Sequence, residues 1–311
     1  MKASAIDVTG PTSFLLKGPY GFGKTLAAAS FAIGGPTYIA YWDKKKPVEL
    51  VTYFKRFGAK GKKILDNIEY DVYGGHNANE YLQKIIALSQ DCRYFAVITD
   101  SITMMTSGVV SWSSGFNDKG KHVGLKAENP QQIIPSWDEY KSETAIVSQS
   151  LDLSRTLPCH VIWTAHPLPS TKIEGSGSSM KVSKTISIVT YGSKVAGMVP
   201  GQFSEIYHFT QSNDYNTNTK RYIAETDAIG DDFAKTSLGL PRELDITNRL
   251  FYEVWLEALA EVKQAQKQKE QEDALKVENI ESNVNPFQSQ PDTITQSTVD
   301  KKWNASKGAY E

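Results

Sequence analysis

Residues 14–29 read Phe14-Leu15-Leu16-Lys17-Gly18-Pro19-Tyr20-Gly21-Phe22-Gly23-Lys24-Thr25-Leu26-Ala27-Ala28-Ala29, which is an apolar strand, a glycine-rich turn and an alanine-rich helix start. The pattern Gly-x-x-x-x-Gly-Lys-Thr in this context is that of a phosphate-binding loop. Its glycines let backbone N–H groups point at phosphates, and the positive end of the helix dipole adds to the attraction. The residues that we predict to bind a nucleoside triphosphate are Gly18, Pro19, Tyr20, Gly21, Phe22, Gly23, Lys24 and Thr25.

A second apolar run, over residues 94–99, ends at Asp100. A strand this apolar is typical of a parallel sheet that helices cover on both faces, and ligands bind at the carboxyl ends of such strands. We therefore predict that ATP binds with Mg²⁺, that Lys24 reaches the β- and γ-phosphates, and that Thr25 and Asp100 organise the metal. Because Ser101 rather than a glutamate follows Asp100, the group that activates water has to come from elsewhere.

Composition limits the function classes. The 311 residues carry a formal net charge of −1, so any contact with nucleic acid needs a local basic patch. The two cysteines and five histidines show no metal-ligand spacing. The first residues lack the apolar core of a signal peptide, and the most apolar run is too short to span a bilayer. We expect a cytoplasmic protein with no membrane contact.

Strand and helix patterns alternate along the chain, which predicts an α/β fold with a mostly parallel central sheet flanked by helices. They include a long helix over residues 137–157, a buried strand that ends near His166, and a hairpin of residues 205–210 and 220–225. We expect an ATPase core over residues 1–250 and a C-terminal helix over 251–277. Residues 278–311 are mostly Asn, Gln, Ser, Thr, Pro and charged residues, which predicts a disordered tail.

The segment Val97-Ile98-Thr99-Asp100-Ser101, with the apolar residues after it, resembles the second nucleotide motif of RecA-type recombinases. The order of the parts is similar over residues 14–250. Among such proteins the chain resembles the small phage-encoded RecA-like ATPases of single-strand annealing, in which a strand like Trp163-Thr164-Ala165-His166 is common. The resemblance implies a RecA-like P-loop NTPase core, DNA-stimulated ATP hydrolysis, and a role in phage DNA recombination, annealing or repair in the host cytoplasm.

The resemblance also implies roles for residues outside the phosphate loop. His166 falls where such ATPases sense the γ-phosphate, and Arg221 where they present a cation to a neighbouring subunit's nucleotide. Residues 106–135 and 168–194 fall where RecA-type proteins keep two loose DNA-contacting loops. The implied partners are single-stranded DNA, further copies of the chain in a ring or filament, and a single-strand-binding protein. The lysines expected to contact DNA are Lys119, Lys121, Lys126, Lys172, Lys181, Lys184 and Lys194.

One departure from the family leaves the catalytic base open. RecA-type enzymes carry a glutamate two residues after the aspartate of the second strand, and the corresponding residue after Asp43 is Lys45. Either Asp43 polarises the attacking water, or Glu49 does so, or hydrolysis is slow. The alternative functions are a RecA-fold replicative motor or helicase-loading ATPase, and a nucleotide-gated interaction module with little hydrolysis. A small-molecule kinase is disfavoured because no segment concentrates arginines.

Overall fold

The computed structural model of the chain describes residues 10–43, 47–115, 137–174, 181–214, 219–227, 233–283, 303–304 and 309–310. The strands within these residues are β1 (Ser13–Lys17), β2 (Thr37–Tyr41), β3 (Ile68–Val72), β4 (Ala96–Asp100), β5 (His160–Ala165), β6 (Pro167–Glu174), β7 (Lys181–Ile188), β8 (Glu205–Asp214), β9 (Thr219–Glu225), β10 (Glu243–Asp245), β11 (Trp303–Asn304) and β12 (Ala309–Tyr310). The α-helices are α1 (Lys24–Ala29), α2 (Val48–Phe54), α3 (Gly58–Asp66), α4 (Ala78–Gln90), α5 (Ile102–Ser113), α6 (Trp137–Ser154), α7 (Ser193–Met198) and α8 (Phe251–Asn283).

In the described part of the chain, one eight-stranded sheet has the order β10-β9-β8-β1-β5-β4-β2-β3. The pairs from β8 to β3 are parallel, and β9 and β10 extend the sheet in antiparallel fashion. The prediction of an α/β fold with a mostly parallel central sheet flanked by helices is confirmed. Strand β5 lies between β1 and β4, so the phosphate loop after β1, the carboxylate of Asp100 and the tip of β5 meet at one edge.

Successive side chains of the central strands point to opposite faces, which explains the two apolar cores. On one face, Phe14 and Leu16 of β1 pack with α1, α2, α3 and the first turns of α8, where Trp255 is buried. On the other face, Leu15 of β1 and Trp163 of β5 pack with α4, α5, α6 and α7. Strands covered on both sides are apolar throughout, and this is the pattern that residues 94–99 show in the sequence.

Strands β6 and β7 form an antiparallel hairpin of their own, separate from the central sheet. Their pairing runs from Pro167 opposite Ile188 to Glu174 opposite Lys181. The prediction of a loose loop over residues 168–194 is therefore wrong, because these residues include most of β6, all of β7 and the first two residues of α7. Repeated Thr and Ser with Ile and Val favour extended backbone, although the glycine and serine content suggested a flexible segment.

The other expected loop, over residues 106–135, begins later than predicted. Helix α5 continues to Ser113, with Val109 and Val110 buried, so its last two turns take residues assigned to the loop. Residues 116–135 lie outside the described part. The predicted helix over 137–157 is α6, and the predicted hairpin is β8 and β9.

The chain divides into a unit of residues Met1–Lys263 and a unit of residues Gln264–Glu311. Helix α8 ends at Asn283 rather than at residue 277. In the second unit, β11 pairs with β12 in antiparallel fashion, and most of the remaining predicted tail lies outside the described residues. None of the described helices is long and apolar enough to cross a membrane.

Candidate functional site

The turn between β1 and α1 has the backbone that a phosphate loop requires. Gly21 and Gly23 have φ angles of 77° and 86°, in the left-handed region that glycine adopts without strain. Helix α1 begins at Lys24, as predicted, and the Ala27 N–H donates to the Gly23 carbonyl. The sequence therefore places the loop, the lysine and the helix start in the predicted order and conformation.

The Lys24 ammonium is buried at the centre of the site. Its Nζ atom donates to the carbonyl oxygens of Gly18, at 2.7 Å, and Pro19, at 2.9 Å, and lies 3.4 Å from Nδ1 of His166. Burial lowers the pKa of Lys24 to about 8, and the charge of Asp100 opposes this shift. The side chain therefore remains mostly protonated at pH 7 and can pair with an anionic phosphate.

Asp100 is buried between two threonine hydroxyl groups. Thr25 Oγ1 donates to Asp100 Oδ2 at 2.8 Å, and Thr164 Oγ1 of the neighbouring strand donates to Oδ1. Burial raises the pKa of Asp100, while these two hydrogen bonds and the Lys24 charge work against the rise. The hydroxyl and carboxylate are hard oxygen donors of the kind that Mg²⁺ prefers, so Thr25 and Asp100 fit the predicted metal role.

His166 follows β5 and contacts the phosphate loop. Its ring stacks on Tyr20, with ring centroids 3.7 Å apart and planes at 25°. Burial and the Lys24 charge lower the pKa of His166 to about 4, so the ring is neutral at pH 7. The backbone is fixed as well, because the His166 N–H donates to Thr103 Oγ1 at 3.1 Å and its carbonyl accepts from the Val189 N–H at 2.8 Å.

These groups line one cavity of about 300 Å³. Its walls also include both carboxylates that the sequence left open as the base, Asp43 and Glu49. Glu49 lies in the first turn of α2, and its Oε1 accepts a hydrogen bond from the Tyr41 hydroxyl at 2.7 Å. Both alternatives are therefore within the site, and Lys45 lies outside the described residues.

A second cavity of about 190 Å³ shares Gly21, Gly23 and Leu26 with the first. It extends away from Asp100 toward Tyr53 of α2 and Tyr222 of β9. The two arginines Arg56 and Arg249 also line it. Together the cavities form a path with the phosphate loop in the middle, a carboxylate cluster at one end and aromatic rings at the other.

The remaining predicted residues lie elsewhere. Arg221 is on β9, half exposed, and both Nε and Nη2 donate to Asp245 Oδ2 on β10. Lys172 is on β6, and Lys181 and Lys184 are on β7, while Lys194 is exposed in the first turn of α7. Lys119, Lys121 and Lys126 lie outside the described residues.

Sequence reasoning missed Thr164, Tyr41 and Thr103, whose hydroxyl groups hold Asp100, Glu49 and the His166 backbone. Thr164 could have been identified from the sequence, because it is a polar residue near the end of a mostly apolar strand, two positions before His166. No local pattern marks Tyr41 or Thr103, since their roles depend on which strands and helices become neighbours.

No protein-family model matches the chain, and no curated protein matches it in sequence. Among solved structures, a KaiC-like protein of the archaeon Pyrococcus horikoshii OT3 is 14% identical over 70% of this chain and 78% of its own, with a TM-score of 0.39. The RadB recombinase is 15% identical over 78% of this chain and 90% of its own, with a TM-score of 0.42.

Proposed function

We propose that this protein binds ATP with Mg²⁺ at the phosphate loop and hydrolyses it, and that it acts on single-stranded DNA in recombination, annealing or repair. The observation that carries the ATPase proposal is the meeting of Lys24, Thr25 and Asp100 at the carboxyl edge of the sheet, with Thr25 Oγ1 2.8 Å from Asp100 Oδ2. This combination supplies a cation for the phosphates and oxygen ligands for a metal. The resemblance to phage annealing proteins adds the DNA role.

Each residue has a role that its surroundings support. The Lys24 ammonium pairs with the β- and γ-phosphates, and the N–H groups from Gly21 to Thr25 surround them. Mg²⁺ at Thr25 and Asp100 would neutralise charge on the same phosphates. The nucleoside lies in the second cavity, where Tyr53 and Tyr222 offer ring surfaces. His166, which lies next to Lys24, responds to the presence of the γ-phosphate. A movement of its ring would then displace its own backbone.

Hydrolysis needs a carboxylate that orients water, and we assign this role to Glu49. The Tyr41 hydroxyl donates to its Oε1 at 2.7 Å and fixes the carboxylate in the wall of the nucleotide cavity. A positioned base contributes on the order of 10²- to 10⁴-fold in rate. Arg221 remains a proposal for the cation that a neighbouring copy supplies, in a ring or filament of this chain.

The central test is Lys24→Ala. Losing the charge-assisted bonds to phosphate should weaken binding of a non-hydrolysable ATP analogue with Mg²⁺ on the order of 100-fold, measured by calorimetry. The control is Lys62→Ala, which removes an exposed lysine on α3 and should leave the affinity unchanged. Thermal unfolding of both variants shows whether the fold is kept. Full analogue affinity in folded Lys24→Ala protein would refute the site.

Turnover with no DNA, single-stranded DNA and duplex DNA separates the remaining functions. Stimulation by single strands supports the recombination or annealing role. A replicative motor or helicase loader has the same nucleotide site, and fork unwinding or binding to a replicative helicase would favour it. Tight ATP binding without turnover in all three conditions would favour a nucleotide-gated interaction module.

A further inference from the structure

Two thiol groups meet at the amino-terminal edge of the central sheet, at the opposite end of the strands from the phosphate loop. Cys92 lies in the segment between α4 and β4, and Cys159 directly precedes β5, the strand that pairs with β4. The Cys92 Sγ donates a hydrogen bond to the Cys159 Sγ at 3.7 Å. These are the two cysteines of the whole chain, and neither lines the nucleotide cavity. We call them the dithiol pair.

The backbone on both sides of the dithiol pair is held by hydrogen bonds. The N–H of Phe95, three residues after Cys92, donates to the Pro36 carbonyl at 2.7 Å. The N–H of His160, the residue after Cys159, donates to the Phe95 carbonyl at 3.1 Å. The two sulfur atoms therefore meet because the register of the sheet places their segments side by side.

The sulfur atoms are close enough to be joined while the sheet keeps its register. A disulfide bond is about 2.0 Å long, so the two atoms have to approach each other by about 1.7 Å. A turn of about 60° around χ1 moves a cysteine sulfur by about this distance, so modest rotations of the two side chains are sufficient. A disulfide can therefore form with little movement of the backbone.

The two thiols differ in how they meet solvent. Cys92 is partly exposed, whereas Cys159 is 5% exposed and lines a cavity of about 430 Å³. Burial raises the pKa of the Cys159 thiol, and the neighbouring Cys92 adds to this rise, so Cys159 keeps its proton at pH 7. Because the thiolate is the reactive form of cysteine, Cys92 is the sulfur that an oxidant attacks first.

We propose that the dithiol pair is a site of oxidative modification, at which hydrogen peroxide converts Cys92 and Cys159 into an intramolecular disulfide. In the first step the Cys92 Sγ loses its proton and attacks one oxygen of the peroxide. The O–O bond breaks, the sulfur keeps that oxygen as a sulfenic acid, and the other oxygen leaves as water.

In the second step the Cys159 Sγ attacks the Cys92 Sγ, and the S–S bond forms as the S–O bond breaks. The hydroxyl group leaves with the Cys159 proton as a second molecule of water. The two sulfurs together lose two electrons, which reduce one peroxide to two molecules of water. No further reactant is needed.

The second thiol decides what becomes of an oxidised Cys92. A sulfenic acid without a neighbouring thiol is oxidised further to sulfinic acid, which is irreversible for most proteins, whereas a disulfide is returned to thiols by reductants. In the cytoplasm that the sequence predicts, the pair would be reduced between oxidative events. The bond would close a loop spanning 67 positions of the chain, including β4, α5 and α6, and so restrict the unfolded chain.

The test treats the reduced full chain with hydrogen peroxide and counts free thiols, which number two before treatment. The count should fall to zero, and a digest analysed by mass spectrometry should contain one pair of peptides linked through Cys92 and Cys159. The midpoint of thermal unfolding should rise on the order of 5 to 10 °C, because the unfolded chain is restricted. Dithiothreitol should restore both thiols and the original midpoint.

Cys92→Ser and Cys159→Ala are the matched variants, since each lacks one partner. Peroxide should give neither an internal link nor a higher unfolding midpoint in either of them, and Cys92 in Cys159→Ala should gain oxygen atoms instead. The unfolding midpoints of the reduced variants show whether they are folded, and the linked peptides are measured on the wild type. Two surviving thiols, oxygen added to Cys92 without a link, or a disulfide between two copies in the wild type would each overturn the proposal.

Discussion

Lys24 and Asp100 show how burial and pairing balance at a single site. Burial moves both pKa values toward neutrality, and the interaction between the two charges opposes this movement. The Thr25 and Thr164 hydroxyl groups each donate a hydrogen bond to the Asp100 carboxyl group. The Lys24 ammonium and the hydrogen-bonded Asp100 carboxyl group therefore lie in a buried space, where electrostatic effects on a bound polyphosphate are much stronger than in water.

The choice between the two candidate bases gives a prediction at this scale. Glu49→Gln should lower ATP turnover on the order of 100-fold or more, because the amide cannot take a proton from water. Asp43→Asn should lower it less. Because neither change removes a cation from the phosphate loop, the affinity for the ATP analogue should stay within a few-fold in both. Steady-state turnover and calorimetry on the same preparations make the comparison, and the reverse ranking would assign the base to Asp43.

The site residues differ in how far the sequence could predict them. Gly18 to Thr25 follow from a local pattern, because the loop conformation depends on neighbours within a few residues. Asp100 and His166 follow from their positions after apolar strands. Outside the site, the buried Glu143 of α6 gave no signal, because an acidic residue inside a helix is ordinarily exposed, and its burial depends on packing against the segment before α7.

The attachment of α8 to the sheet depends on a buried ring cluster that contains a histidine. His160 of β5 lies against Phe31, Phe95 and Trp255, and its Nδ1 accepts the Thr12 N–H at 3.2 Å. His160 is 5% exposed, and burial lowers its pKa from 6.5 to about 4. The cluster therefore holds a neutral imidazole between a strand and a helix.

Stability should fall with acid because of this histidine. Between about pH 6.5 and pH 4 the unfolded chain binds a proton at His160 that the folded chain does not, so the free energy of unfolding rises with pH across this window. The contribution of the neutral histidine to the free energy of unfolding is fully present above pH 6.5, and about 2 to 3 kcal/mol of it is lost by pH 4. Urea unfolding of wild type and His160→Leu from pH 4.5 to 7.5 should show the difference between them shrinking toward acid.

If the difference in free energy of unfolding between wild type and His160→Leu is constant across this pH range, the histidine does not titrate as its burial indicates.

At the scale of elements, the strands and helices of the core were predictable and the β6–β7 hairpin was not. Core elements carry apolar patterns because they bury one or both faces. Within the described residues, the hairpin strands pair with each other and not with the central sheet, and the Gly and Ser residues of this segment resemble those of a loop. The three-residue strand β10 was missed for a related reason, since its place depends on β9.

For the whole molecule, the apolar surface of the first unit ends within α8. Phe251, Trp255, Leu259 and Val262 belong to the core on one face of the sheet, whereas residues 264–273 of the same helix are all exposed. The composition agrees with this change, because those residues are almost all Gln, Lys, Glu and Asp. The first unit should therefore contain all the packing that its stability requires.

A chain that ends at Lys263 tests this independence. Its free energy of unfolding should stay within about 0.5 kcal/mol of the full chain, because residues 264–273, the first that the helix loses, are exposed. ATP turnover per subunit should also be kept, measured at a concentration where both chains have the same oligomeric state. A collapse of folding on truncation would mean that residues 264–311 form part of the core.

The β6–β7 hairpin begins directly after His166, and the Val189 N–H ties its other end to the same residue. Eight residues of strand extend ~26 Å from that base. Because the arm is this long, a tilt of ~5° about His166 would displace the far end of the two strands by ~2 Å. A small adjustment of the histidine beside the phosphate loop would therefore produce a much larger movement at that end.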